Sequence, residues 1–225
     1  MSGVDPRLSA ALTAHASVVA SLSAAHSLWA RGPRRTLLFA ALGGSIPFLG
    51  ELLAIHILKV LRHHARPQIG GVPLAVALGW YNIGYNAFSV AEHLLEGKGD
   101  RVLAPAAALV ATDLDLLLDP CGLDLGLWEW SRSGPYAAEV EGPNGRHGIP
   151  AFNFAGWIGL ISGVALAYRR LAPDAPRLAG GRTPALLLLS YYLPAAAWAS
   201  RRRRRKYLVY SAAAALLAAS RATTD

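Results

Sequence analysis

Residues 102–119 read VLAPAAALVATDLDLLLD, a run apolar enough to cross a bilayer that nevertheless carries Asp113, Asp115 and Asp119. A carboxylate at mid-bilayer costs on the order of 2.5–3.5 kcal/mol on insertion scales, so acids of this kind face a bundle interior or a water-filled cavity and mark function. Three of them in one segment constrain the chain strongly. Whatever it folds into must surround these groups with protein.

The remaining sequence fits a membrane bundle. Hydrophobic residues make up 53% and charged residues 16%, against about 25% charged in soluble domains. The apolar residues fall in blocks at Leu8–Ala30, Thr36–Leu61, Val72–Leu95, Val102–Asp119, Ile149–Tyr168, Thr183–Ala199 and Tyr207–Ala219. Most are near the roughly 20 residues that span the hydrocarbon core. The expected fold is therefore an all-α polytopic membrane bundle of about seven transmembrane helices, a single domain over 1–225. The first block is rich in Ala, Ser and His, and the last is short. Met1–Arg7 offers no basic leader, so a cleavable signal peptide is not expected. The longest polar connection, about 121–148, contains Pro135, Gly142, Pro143 and Gly145 and is expected to cap one face of the bundle.

The net charge of +8 does not indicate nucleic-acid binding. Basic residues cluster at block ends, at Arg31, Arg34 and Arg35, at Lys59, Arg62 and Arg66, at Arg169 and Arg170, and at 201–206. Cations meet lipid headgroups at such positions, so the expected partner is the lipid bilayer. With seven spans the two sides carry ten and twelve of the 22 basic residues, too even a split to assign orientation. Cys121 is the single cysteine, which excludes an internal disulfide and a thiolate metal site.

Asp115 and Asp119 are four residues apart and share a helix face, about 40° from one another, whereas Asp113 points roughly 160° away from Asp115. Two neighbouring carboxylates in a low-dielectric site do not both ionise easily, which leaves a proton available for a poor base such as an alkene. Pro120 is expected to end or kink the helix at Asp119. Glu51 lies mid-span in its block and is expected to serve the same site, as a partner or a second acid. Glu92 and His93 are expected at the membrane interface, and His56 in a structural role.

Three runs in fixed order carry a family resemblance: Asp115-Leu-Leu-Leu-Asp119-Pro120, then Gly126-Leu-Trp128-Glu-Trp130, then Gly148-Ile-Pro150-Ala-Phe152-Asn153-Phe-Ala-Gly156-Trp157. With Glu51, Gly71-Val-Pro73-Leu74 and Trp80-Tyr81, the chain resembles the carotenoid-biosynthesis membrane proteins of bacteria and archaea. That family includes carotenoid 1,2-hydratases of the bisanhydrobacterioruberin and γ-carotene type. The segment Ile57–Ile69 lacks the Gly- and Tyr-containing stretch usual in the family and holds His63-His64 instead, so the chain resembles a divergent member.

The resemblance implies cofactor- and metal-free hydration of a terminal double bond on a long apolar isoprenoid, in a bacterial or archaeal cell membrane. Other membrane enzymes of the carotenoid pathway are the implied partners. In that chemistry Asp115 or Asp119 supplies the proton, and the partner carboxylate orients water or takes its proton. Asn153, with two donors and an acceptor, holds the water, while Asp113 and Glu51 complete the implied polar set. Trp80, Tyr81, Trp128, Trp130, Phe152 and Trp157 form the implied substrate wall, since indole faces stabilise cations. An isoprenoid cyclase begins with the same protonation and stays open as an alternative. An intramembrane Mg²⁺-dependent prenyltransferase would use Asp115-xxx-Asp119 on a diphosphate, but needs a second acidic motif that this sequence lacks. The seven histidines show no repeated HxxxH or HxxHH set for a di-iron site, and no inverted repeat supports a transporter.

Overall fold

Helix boundaries follow from a few local devices. Helix α1 (Pro6–Arg31) starts where the Asp5 carboxylate accepts from the Arg7 amide at 2.8 Å, with Pro6 in the first turn. It ends at Gly32, whose φ of +79° turns the chain straight into α2 (Pro33–Leu52). A π-helical turn, Leu53–Ile57, extends α2. Helices α3 (Leu74–Leu94), α4 (Asp100–Asp124), α5 (Ala151–Leu171) and α6 (Arg182–Arg201) follow. The computed structural model describes residues 4–178, 180–202, 204 and 206–208. Each of the first six expected blocks is thus a helix, and the seventh, 207–219, lies almost wholly outside the described residues.

Among the described residues, three helices are by length and composition apolar enough to cross a membrane: α1, α2 with its π-turn, and α5. The bundle has an apolar core and also presents apolar side chains on its outer surface. Val18, Leu22 and Trp29 of α1, Leu37 and Leu49 of α2, Ile158 and Leu166 of α5 and Leu193 of α6 are exposed. Helix α3 is buried without interruption from Gly79 to Glu92. Its polar side chains join helices: Asn82 Nδ2 donates to the Ala16 carbonyl at 2.9 Å and to Tyr191 Oη at 2.8 Å, and Asn86 Nδ2 donates to Ser23 Oγ at 2.9 Å. Such bonds hold helices together where lipid offers no polar partner.

Successive helices alternate in direction, giving the bundle two different ends. One end gathers the last residues of α1, α3 and α5 around a buried ion network. Arg31 Nη2 meets Glu92 Oε2 at 2.6 Å, Arg169 approaches the same carboxylate at 3.7 Å, and Arg169 and Arg177 both reach Asp100. Glu92 and Arg31 are therefore buried partners, not the interfacial groups expected. A carboxylate shared by two arginines is affordable inside the bundle, whereas either charge alone is not.

The other end of this mainly helical structure holds three short antiparallel ladders among the described residues. They are β1 (Leu61–His63) with β4 (Trp128–Trp130), β2 (Gln68–Ile69) with β3 (Val72–Pro73), and β5 (Tyr136–Glu141) with β6 (His147–Ile149). The 121–148 connection is thus not a simple loop, and the block expected to run to Leu61 ends as a strand. Nor does Pro120 end its helix, since α4 continues to Asp124. A proline leaves the carbonyl four residues earlier without its amide donor. Here that carbonyl, on Leu116, accepts from the Tyr136 hydroxyl of β5 at 2.6 Å. A replacement donor from the ladder keeps the helix intact.

Glu92→Ala, which leaves Arg31 buried and unpaired, is expected to destabilise the fold by about 3–5 kcal/mol. Thermal unfolding in detergent should show a large drop for this variant. Asp174→Ala, at the exposed ion pair with Arg35, should barely move the midpoint.

Candidate active site

The ladder end closes over a cavity of about 870 Å³ reached by residues from all six helices and from β1 and β4. That volume lies within the range of small-molecule sites. Its walls are mainly apolar, from Leu8 and Leu12 of α1, Val76 and Ile83 of α3, Leu118 of α4 and Leu127 before β4. Four acidic or amide side chains enter it: Glu51, Asp115, Asp119 and Asn153.

Asp115 and Asp119 lie on the same face of α4, both buried. Asn153, in the first turn of α5, places its amide nitrogen between them. Nδ2 donates to Asp115 Oδ2 at 2.9 Å and to Asp119 Oδ2 at 2.6 Å. Both hydrogens of one amide are thereby used, and the two carboxylates become one unit bridged across α4 and α5. Pro150 precedes α5 and sets its start. Strand β6 just before it needs Gly148, whose φ is +70° and where a Cβ would collide with the backbone of Gly134 and Tyr136.

A second polar group faces the same space from α2. Glu51 accepts from Trp80 Nε1 at its Oε1 and is hydrogen-bonded to His63 Nε2 at its Oε2, both at 2.9 Å. Trp80 in turn stacks on Trp157, with ring centroids 4.0 Å apart. Trp157 is four residues beyond Asn153, so α5 presents amide and indole on one face.

Strand alternation finishes the wall. Leu61 and His63 of β1 and Trp128 and Trp130 of β4 line the cavity, while Arg62 and Glu129, paired between them in register, contact each other on the other face at 3.8 Å. Opposite one another in the ladder, His63 and Trp128 pack edge to face at 6.1 Å. The buried Trp128 Nε1–H lies toward Asp119 without reaching hydrogen-bond geometry.

Several expected residues stand elsewhere. Asp113 faces α6 and accepts from the Tyr192 hydroxyl at 2.7 Å, outside the cavity wall, as its helical angle anticipates. Tyr81, one residue after Trp80, turns away and packs on Phe39 and Tyr85. Phe152 does not line the cavity but braces Trp130 edge to face at 5.7 Å. His56 bonds the Gly70 carbonyl, a structural role. His63 is the main residue that sequence reasoning missed. The period of two in Leu61-Arg62-His63, matching Trp128-Glu129-Trp130, was the signal that would have found it.

A helical bundle with exposed apolar faces and a tryptophan-walled cavity that carries buried carboxylates fits a membrane protein. The chain belongs to the carotenoid biosynthesis protein family, whose family model matches residues 62–220. This membership ties it to carotenoid biosynthesis and, with the three apolar helices, to the membrane. No curated protein and no solved structure matches the chain significantly.

Position 122 in α4 admits no side chain, because a Cβ there would overlap the Trp128 ring. Gly122→Ala is expected to push that indole out of place while leaving helix content unchanged. Tryptophan fluorescence and near-ultraviolet circular dichroism should change clearly. Spectra identical to those of the parent protein would contradict this packing.

Proposed function

We propose that this protein hydrates a terminal carbon–carbon double bond of a long acyclic carotenoid, using acid and water alone. The observation that carries the reading is the Asp115–Asn153–Asp119 unit opening into an apolar cavity walled by Trp80, Trp128, Trp130 and Trp157. A carboxylic acid of the pair gives its proton to the CH carbon of the trisubstituted alkene, and the π electrons form the new C–H bond. Positive charge then rests on the tertiary carbon. The surrounding indole faces stabilise it, each desolvated contact being worth roughly 2 kcal/mol. A water oxygen attacks that carbon, and the proton it releases passes to a carboxylate in the cavity. The sum is addition of one water, giving a tertiary alcohol.

The setting of this reaction is the cell membrane of a bacterium or archaeon, where the substrate is dissolved and other membrane enzymes of the pathway deliver it. Cyclisation shares the first step and differs only in quenching the cation with an internal alkene. The polar end of the cavity, with Glu51, Asp115, Asp119 and Asn153 together, favours water as the quencher.

Pigments from a lycopene-producing host expressing the chain should contain a product heavier by one water. Asp115→Asn and Asp119→Asn should each lower it by about 100-fold or more while the protein still accumulates in membranes. A product of unchanged mass but altered retention would replace hydration with cyclisation, and full activity in both variants would remove the acid pair from the mechanism. Trp157→Leu should slow turnover more than Trp157→Phe. Equal rates would reduce that ring to a packing role.

A further inference from the structure

The hydration chemistry needs a group that takes the proton from the attacking water, and the acid unit is poorly placed to be both donor and acceptor. Asn153 binds Asp115 and Asp119 together through its two amide hydrogens, so both carboxylates face the substrate from one side of the cavity. A carboxylate beside the spent acid draws the proton back from the cation, which reverses the first step.

Glu51 lies on another helix, α2, and lines the same cavity. It is buried, and each carboxylate oxygen has one fixed partner, Trp80 on Oε1 and His63 on Oε2. An oxygen with one hydrogen bond retains a lone pair for a further proton. The carboxylate plane is thus set by two rings from two elements, α3 and β1, and its remaining acceptor capacity is turned to the cavity.

His63 is itself held in place. Gln68 Nε2 donates to the His63 carbonyl at 3.0 Å, Trp128 packs against the ring, and Nδ1 is buried without a partner among the described residues. On the other face of the ladder Glu129 lies 3.8 Å from Arg62 and 3.3 Å from His64.

We infer that Glu51 is the base that deprotonates the attacking water, and that His63 and Trp80 are positioning residues that aim it. The inference rests on the hydratase reading. The water oxygen forms its bond to the tertiary carbon, one O–H bond breaks, and that proton moves to Glu51. The aspartate that gave its proton to the alkene is re-protonated as Glu51 releases its own, through water at the polar end, so the protein returns to its starting state with one water consumed.

The full-length protein in liposomes, given lycopene in deuterated water, separates the two proton steps. Reversal of alkene protonation leaves deuterium in recovered lycopene, and completion gives the alcohol. Glu51→Gln should lower alcohol formation by about 100-fold while deuterium still enters recovered lycopene, whereas Asp115→Asn should abolish both. His63→Ala should lower alcohol formation about tenfold. His63→Gln, which still donates a hydrogen bond to Glu51, should recover most of it. If Glu51→Gln does not fold, Glu51→Asp replaces it and should lower the ratio of alcohol to exchange. Undiminished alcohol in the Glu51 variant, or loss of exchange together with alcohol, overturns the assignment of the base but leaves the hydratase reading standing. His63→Ala at the parental rate removes the positioning role. Wild-type protein that neither hydrates nor exchanges fails the hydratase reading itself, and the base falls with it.

Discussion

One amide holds the chemical end of this protein together. Asn153 gives a hydrogen to each of two buried aspartates, and without it α4 would bring two carboxylates into an apolar bundle with no shared donor. Burial of a charge is tolerated only where hydrogen bonds and partners replace water. The same rule governs the opposite end, where Glu92 is enclosed by Arg31 and Arg169. The two ends differ in what their polar groups face. At the ion network they face each other, which suits a clamp. At the cavity they face open space, which suits chemistry.

Helix α3 connects these ends. Its Glu92 belongs to the clamp, its Asn82 and Asn86 tie it to α1 and α6, and its Trp80 fixes Glu51 and stacks on Trp157. Its neighbours expose some leucines and valines, such as Val18, Leu22, Leu109 and Leu166, as a lipid-facing surface would. The ladder end adds what helices alone do not supply. Tyr136 restores the hydrogen bond that Pro120 removes, so α4 carries Asp119 rigidly one residue before a proline, and β4 delivers two indoles over the acids.

Much of this was legible in the residues themselves. Apolar blocks of membrane length marked six helices, and i,i+4 spacing put Asp115 and Asp119 on one face and Asp113 on another. Asn153 and Trp157 followed from the family pattern. What stayed hidden depends on contacts between distant segments. Glu92 looked interfacial because it sits near a helix end, and only the convergence of α1, α3 and α5 shows it to be enclosed. Pro120 looked like a terminus because its rescuing hydroxyl is 16 residues further on, at Tyr136. His63 fell in a segment that departs from the family pattern, and its place opposite Trp128 needed strand pairing between residues far apart in sequence. Tyr81 and Phe152, named by motif alone, were displaced by one helical step from the residues that line the cavity.

The proposed hydration requires water to reach a cation formed by proton transfer from the aspartate unit in this cavity. The most direct measurement is turnover of lycopene by the purified protein in liposomes prepared in oxygen-18-labelled water. The account predicts an alcohol carrying a single labelled oxygen for each hydration, bonded to the tertiary terminal carbon. An alcohol without the label, or a product that gains no oxygen at all, would contradict it.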